Sequence, residues 1–166
     1  MKYCALFSIA FLVTLFACNR PVSNTQVLQH RIDSLEKQLA ASYKPGLGEF
    51  MSGIQVHHAK LWFAGQNLNW KLAEFEINEI EEALTDIKQY CADRPEVKTI
   101  GVIDGPIDSV TKAIQHKNEA QFKTGYVLIT NTCNSCHNET SHAFNVITIP
   151  TTPPFSNQDF KVPEVK

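Results

Sequence analysis

The chain of 166 residues has no basic excess: fifteen Lys and Arg stand against seventeen Asp and Glu, for a formal charge of −2. Without that excess there is little to neutralise phosphates, so nucleic acid is excluded as the expected partner. It has no regular cysteine framework either. Cys4, Cys18, Cys91, Cys133 and Cys136 are odd in number and irregularly spaced, which argues against a disulfide scaffold. Convincing strand alternation is missing everywhere except over Val146 to Ile149. No phosphate loop, paired carboxylates or nucleophile-and-base arrangement marks an enzyme. What is present is apolar material, 43% of the residues with only 19% charged, enough to build a core.

The uncharged apolar run Tyr3 to Ala17 is short of the roughly 20 residues a membrane span needs, and it matches the apolar region of a secretory signal. It ends in Leu15-Phe16-Ala17-Cys18. This resembles a bacterial lipobox, with a bulky Phe16 where a smaller residue is usual. The resemblance implies removal of residues 1–17, lipid on Cys18, and a mature protein held on a membrane of the cell envelope. Plain secretion is the alternative. Residues 18–45 then form a tether and a helical stalk. Leu28, Ile32, Leu35 and Leu39 step by four, three and four, which gives a helix with a narrow apolar seam. The seam is expected to pack on the chain's own body, with self-pairing as a short coiled coil as the sharper alternative.

Residues 46–140 carry four helical patterns. The first has Leu47, Met51, Ile54, His58, Leu61 and Trp62 on one face and ends near Gly65. His57 falls about 120° off that face and is expected on the rim or in solvent. The second runs from about Leu68 to Cys91 with the stripe Ala73, Ile77, Ile80, Leu84, Ile87 and Cys91; Glu74, Glu76, Glu79, Glu81 and Glu82 are expected to form its solvated outer face. Arg94 to Gly105 reads as a loop, with Pro106 in the first turn of a third helix bearing Ile107, Val110 and Ile114. The fourth starts near Asn118 and carries Phe122, Tyr126, Ile129 and Cys133. Short connections make neighbours antiparallel, so the expected architecture is an all-α, antiparallel four-helix bundle. Residues 141–166, with Pro150, Pro153 and Pro154, are expected to wrap back over the bundle as an extended segment.

At the end of the fourth pattern stands Cys133-Asn134-Ser135-Cys136-His137, a C-x-x-C-H motif. Two thiols at this spacing reach two vinyl groups on one edge of a haem, and the adjacent imidazole binds its iron from one face. In an exported chain this is a strong signal, because c-type haem is attached outside the cytoplasm. The rival readings are a zinc site of Cys133, Cys136, His137 and His142, a thioredoxin-like redox pair, and a Cys133–Cys136 disulfide. Cys91, on the second stripe, reads as an inert core thiol.

Four helices closed by this motif resemble the cytochrome c prime family of bacterial c-type cytochromes. The resemblance covers roughly Leu47 to Asn138. It implies one covalent haem c held between the helices, single-electron transfer with redox partner proteins on the periplasmic side of a membrane, and frequent homodimerisation. The stalk and the segment from Glu139 to Phe160 depart from the family pattern. In low-spin relatives a methionine near the start of the first helix supplies the sixth iron ligand, and Met51 stands in the comparable place; His58 is the alternative ligand, and plain core packing is the alternative role for Met51. His58, Trp62, Phe122 and Tyr126 are expected to line the haem pocket. An open sixth position would instead suit binding of nitric oxide, carbon monoxide or peroxide, with at most peroxidase-like chemistry, and an interaction module built on the stalk would need no haem.

Overall fold

The structure, a computed structural model, describes residues 23–42 and 45–164. The expected signal peptide and Cys18 lie outside the described residues. The chain divides into two units, Met1–Tyr43 and Lys44–Lys166.

In the first unit the helix α1 spans Ser23–Ser42. Along its seam Leu28, Ile32, Leu35 and Leu39 are between 47% and 71% exposed.

The second unit is helical throughout its ordered elements, and no strand occurs among the described residues. It contains α2 (Leu47–Gln66), α3 (Trp70–Tyr90), a 3-10 segment (Pro95–Ile103), α4 (Asp104–Gln115) and α5 (Glu119–Glu139). Helix α2 packs on α3, α3 on α4, α4 on α5 and α5 on α2, so the contacts close a cycle. Inside it lie Leu61, Ile77, Ile80, Ile87, Val110, Ile114, Phe122, Tyr126 and Ile129, all buried. These are the apolar stripes expected from the 3.6-residue period. Cys91 is buried with them.

The two hairpin turns use the same device. Leu68 (φ 55°) and Lys117 (φ 52°) adopt the left-handed conformation after α2 and α4. At the first turn the N–H groups of Asn69 and Leu68 bond back to the carbonyls of Ala64 and Gly65. At the second, Asn118 and Lys117 do the same to Ala113 and Ile114. This is the Schellman pattern, which satisfies the last carbonyls of a helix. The next residue, Asn69 or Asn118, then caps the following helix, its side-chain oxygen accepting from Leu72 N or Gln121 N.

Three expectations need correction. Arg94 to Gly105 is no irregular loop: its apolar residues Val97, Ile100 and Ile103 recur every third position, which suits the three-residue turn of a 3-10 helix, and Ile100 and Ile103 are buried. The helix expected to carry Pro106 in its first turn begins at Asp104, which places Pro106 there. Residues 146–149 pair with no strand; the segment is irregular. Glu76 is not on a solvated face but 1% exposed. It flanks the Ala73–Ile77 stripe on the side facing α2, where His57 Nδ1 meets its Oε2 at 2.7 Å and Lys60 Nζ lies 3.9 Å from Oε1. His57 is accordingly half-buried and paired rather than free in solvent.

Helices α2 and α5 meet where Gly65 faces Phe122. A Cβ on Gly65 would fall on the Phe122 ring edge, well inside van der Waals contact, and Phe122 is fully buried with no room to retreat. Alanine gains about 1 kcal/mol of helix propensity over glycine, but overpacking a core costs about 1–3 kcal/mol. Gly65→Ala should therefore lower the urea midpoint with the m-value unchanged; a raised midpoint would show that the ring can shift.

Candidate functional site: a cavity beneath the C-x-x-C-H turn

The last two turns of α5 bring the motif side chains together. At about 100° per residue, His137 returns to within about 40° of Cys133, and Cys136 lies about 60° to the other side. All three line one cavity of about 270 Å³. Across from them α2 contributes Met51, Ile54 and His58. The floor is apolar, built from Ile80 and Leu84 of α3, Ile107 of α4 and the Val97–Ile100–Ile103 row of the 3-10 segment. Arg94, Glu96 and His142 stand at its polar side. The segment that sequence reading took for a loop thus forms much of one wall.

After α5 the chain reverses at Ser141 (φ 65°), with His142 N bonding back to His137 O at 2.7 Å. This carries residues 145–147 back along the motif, where two side chains hold them. Asn134 Nδ2 donates to Ile147 O at 2.8 Å, and its Oδ1 accepts from Ile147 N at 2.8 Å. His137 Nδ1 donates to Asn145 O at 2.7 Å. Further on, Lys60 sits over the Phe155 ring, Asn69 Nδ2 donates to the carbonyls of Phe160 and Lys161, and Phe160 is buried against Phe63. These contacts hold the C-terminal segment as a strap. The roles of Asn134 and Asn145 were missed, although an amide inside a motif is a visible signal for backbone capture.

The bond to Asn145 O places the His137 proton on Nδ1 and leaves the Nε2 lone pair for a metal, the arrangement by which outer partners orient a ligating imidazole and raise its basicity. The two thiols are free. Burial, and then the nearby Cys136, pushes the Cys133 thiol up to about 11; burial, and then Glu139, raises Cys136. Redox-active C-x-x-C thiols are shifted the opposite way. Among the described residues no group of three or more His, Cys, Asp or Glu could hold a metal ion.

His58 is 4% exposed, and both ring nitrogens are engaged. Its Nε2 lies 2.9 Å from Thr130 Oγ1 and its Nδ1 lies 3.0 Å from the Tyr126 hydroxyl. That hydroxyl donates to the His58 carbonyl at 2.8 Å, and Thr130 Oγ1 donates to Tyr126 O at 2.9 Å. The Met51 side chain makes no such bonds and is half-buried on the cavity wall.

Trp62, Phe122 and Tyr126 do not line this cavity, contrary to expectation. Trp62 is eleven residues beyond Met51 on α2, and Phe122 eleven before Cys133 on α5, about 16 Å along each axis. They meet each other instead. Ring centroids are 4.7 Å apart for Trp62–Tyr126 and 6.4 Å for Trp62–Phe122. Tyr126 stacks on His58 at 4.4 Å and so backs the cavity from behind.

Burial lowers the pKa of His58 to about 4. A folded-state value below the unfolded one means that, between about pH 6.5 and 4, the unfolded chain binds the extra proton; stability is full above that window and falls as the pH drops through it. The loss is at most about 3 kcal/mol. Urea titrations at pH 7 and pH 4.5 should show a smaller drop for His58→Gln, which cannot titrate, than for the unaltered protein; equal drops would place the acid sensitivity elsewhere.

No family model matches the chain, and neither a curated protein nor a solved structure matches it.

Proposed function

We propose that the chain is a c-type cytochrome of the cytochrome c prime kind: an antiparallel four-helix bundle with one covalent haem, anchored through lipid on Cys18 to a bacterial envelope membrane and facing the periplasm, where it passes single electrons between protein partners. The observation that carries this reading is the convergence on one apolar cavity of two thiols, an imidazole with Nε2 available, and a thioether from the opposite helix. The cyclic packing of α2 to α5 supports the bundle.

These residues suit a haem. Cys133 and Cys136 would hold it by thioether bonds, and His137 and Met51 would bind its iron. A bound haem supplies a one-electron couple at its iron. The chain's own residues do the rest. Asn145 O fixes the orientation of His137 through Nδ1. Asn134 pins the strap against the motif. Ile80, Leu84, Ile100 and Ile107 keep the floor of the cavity apolar, which excludes water and holds the reacting group in a low-dielectric setting. The engagement of both His58 nitrogens favours Met51 over His58 as the sixth ligand. A soft thioether raises the reduction potential.

Two outcomes test the reading. Protein matured in a host with c-haem machinery should keep its haem through acid–acetone extraction, and the Cys133→Ser/Cys136→Ser variant should lose it; complete extraction from the unaltered protein would refute the assignment. Met51→Ala should abolish the weak long-wavelength charge-transfer band of Met–haem ligation and make the reduced spectrum respond to carbon monoxide. If the unaltered protein already responds to carbon monoxide, the sixth position is open and the gas-binding alternative takes over.

A further inference from the structure

The exposed seam of α1 is an apolar feature that the cavity does not explain. Leu28, Ile32, Leu35 and Leu39 follow one another by four, three and four residues, all at least 47% exposed. That is a heptad seam in which Leu28 and Leu35 occupy d positions and Ile32 and Leu39 occupy a positions. We propose that α1 pairs in parallel with α1 of a second copy of this chain, as a short two-stranded coiled coil.

Residue types and charge both select this occupant. A β-branched residue at a between leucines at d favours parallel two-stranded packing, and Ile32 lies between Leu28 and Leu35. With Ile32 at a, Arg31 is a g residue and Glu36 the e residue five positions on. In a parallel pair, g of one copy faces the following e of the other, so Arg31 meets Glu36 of the second copy, and the reverse pair forms by symmetry. In an antiparallel pair, g faces g and e faces e; Arg31 would then face Gln38 and Glu36 would face Gln29, and neither charge would gain a partner. A membrane surface fits less well. Such helices carry a cationic polar face, whereas in α1 Arg31 and Lys37 are balanced by Asp33 and Glu36, for a sum of zero with His30 neutral. The seam is also a narrow a/d line, not a broad apolar half-cylinder.

Fewer than three heptads give weak association, so the test uses covalent capture in the full chain. Leu28→Cys changes one exposed side chain and leaves the body untouched. In membranes of the expressing cells it should form a disulfide-linked dimer above the background of the unaltered chain, because d residues of parallel helices face their own copies. Leu28→Cys chains carrying Arg31→Glu and Leu28→Cys chains carrying Glu36→Arg should each self-link poorly. Expressed together under different tags, they should link to each other about ten-fold more than to themselves, since only the mixed pair restores both attractive contacts. Preferential linking of a Leu28→Cys chain to a Leu39→Cys chain would show antiparallel pairing and overturn the proposal. So would absence of linking at both positions, which would assign the seam to lipid or to another protein. The Cys133→Ser/Cys136→Ser background should leave the cross-links unchanged, so the result stands apart from the haem assignment.

Discussion

The close approach of α2 and α5 at Gly65 and Phe122 sets the rest of the bundle. A residue without a side chain lets a fully buried ring enter the space between the helices, and Trp62, Trp70 and Tyr126 gather around it. One end of the helix pair is thereby filled with aromatic rings. The cavity sits at the other end, where α2 begins and α5 finishes, and its lining comes from smaller side chains and the motif. The site is a property of that division: the same two helices are locked by rings at one end and carry the chemistry-bearing residues at the other.

Between the two ends runs the His58–Tyr126–Thr130 network. A neutral imidazole and two hydroxyls have three protons for four short contacts, so one contact at any moment lacks a hydrogen. The cation would satisfy all four, but desolvation opposes it. The network therefore defines the back wall of the cavity at some cost, and both His58 ring nitrogens face hydroxyl groups within it. Glu76 is a second buried polar group of this kind. Its Oε2 is bonded to His57, while its Oε1 has no hydrogen-bond partner and relies on Lys60 at 3.9 Å.

Much of this was legible in the sequence. The four stripes identify α2 to α5 and most of the core, because apolar periodicity reports directly which side of a helix faces inward; Ala64, Ala113, Ile100, Ile103 and Phe160 fall outside them. The motif identifies one wall of the cavity, because i, i+3 and i+4 on a helix share a face. What stayed hidden required knowledge of axial position. Trp62, Phe122 and Tyr126 lie on the right stripes but at the wrong height, and a stripe carries no information about which rung meets which. The 3-10 wall was masked because its glycine and proline read as loop punctuation, while the period of three in Val97, Ile100 and Ile103 was the stronger clue. The burial of Glu76 depends on what α2 places opposite it, which a single helix pattern does not contain.

The reversal at Ser141 puts everything that closes the site downstream of everything that builds it. In chain order α2, α3, the 3-10 segment, α4 and the motif all precede residues 145–147 and Phe160, which close over them. Without those later residues in place the cavity has walls and no strap. A large group therefore has its widest entry before Phe160 docks into the core. After that, its entry or exit requires breaking the Asn134–Ile147 pair and withdrawing a buried ring. The contacts that close the cavity are thus all made by residues that follow the motif in the chain.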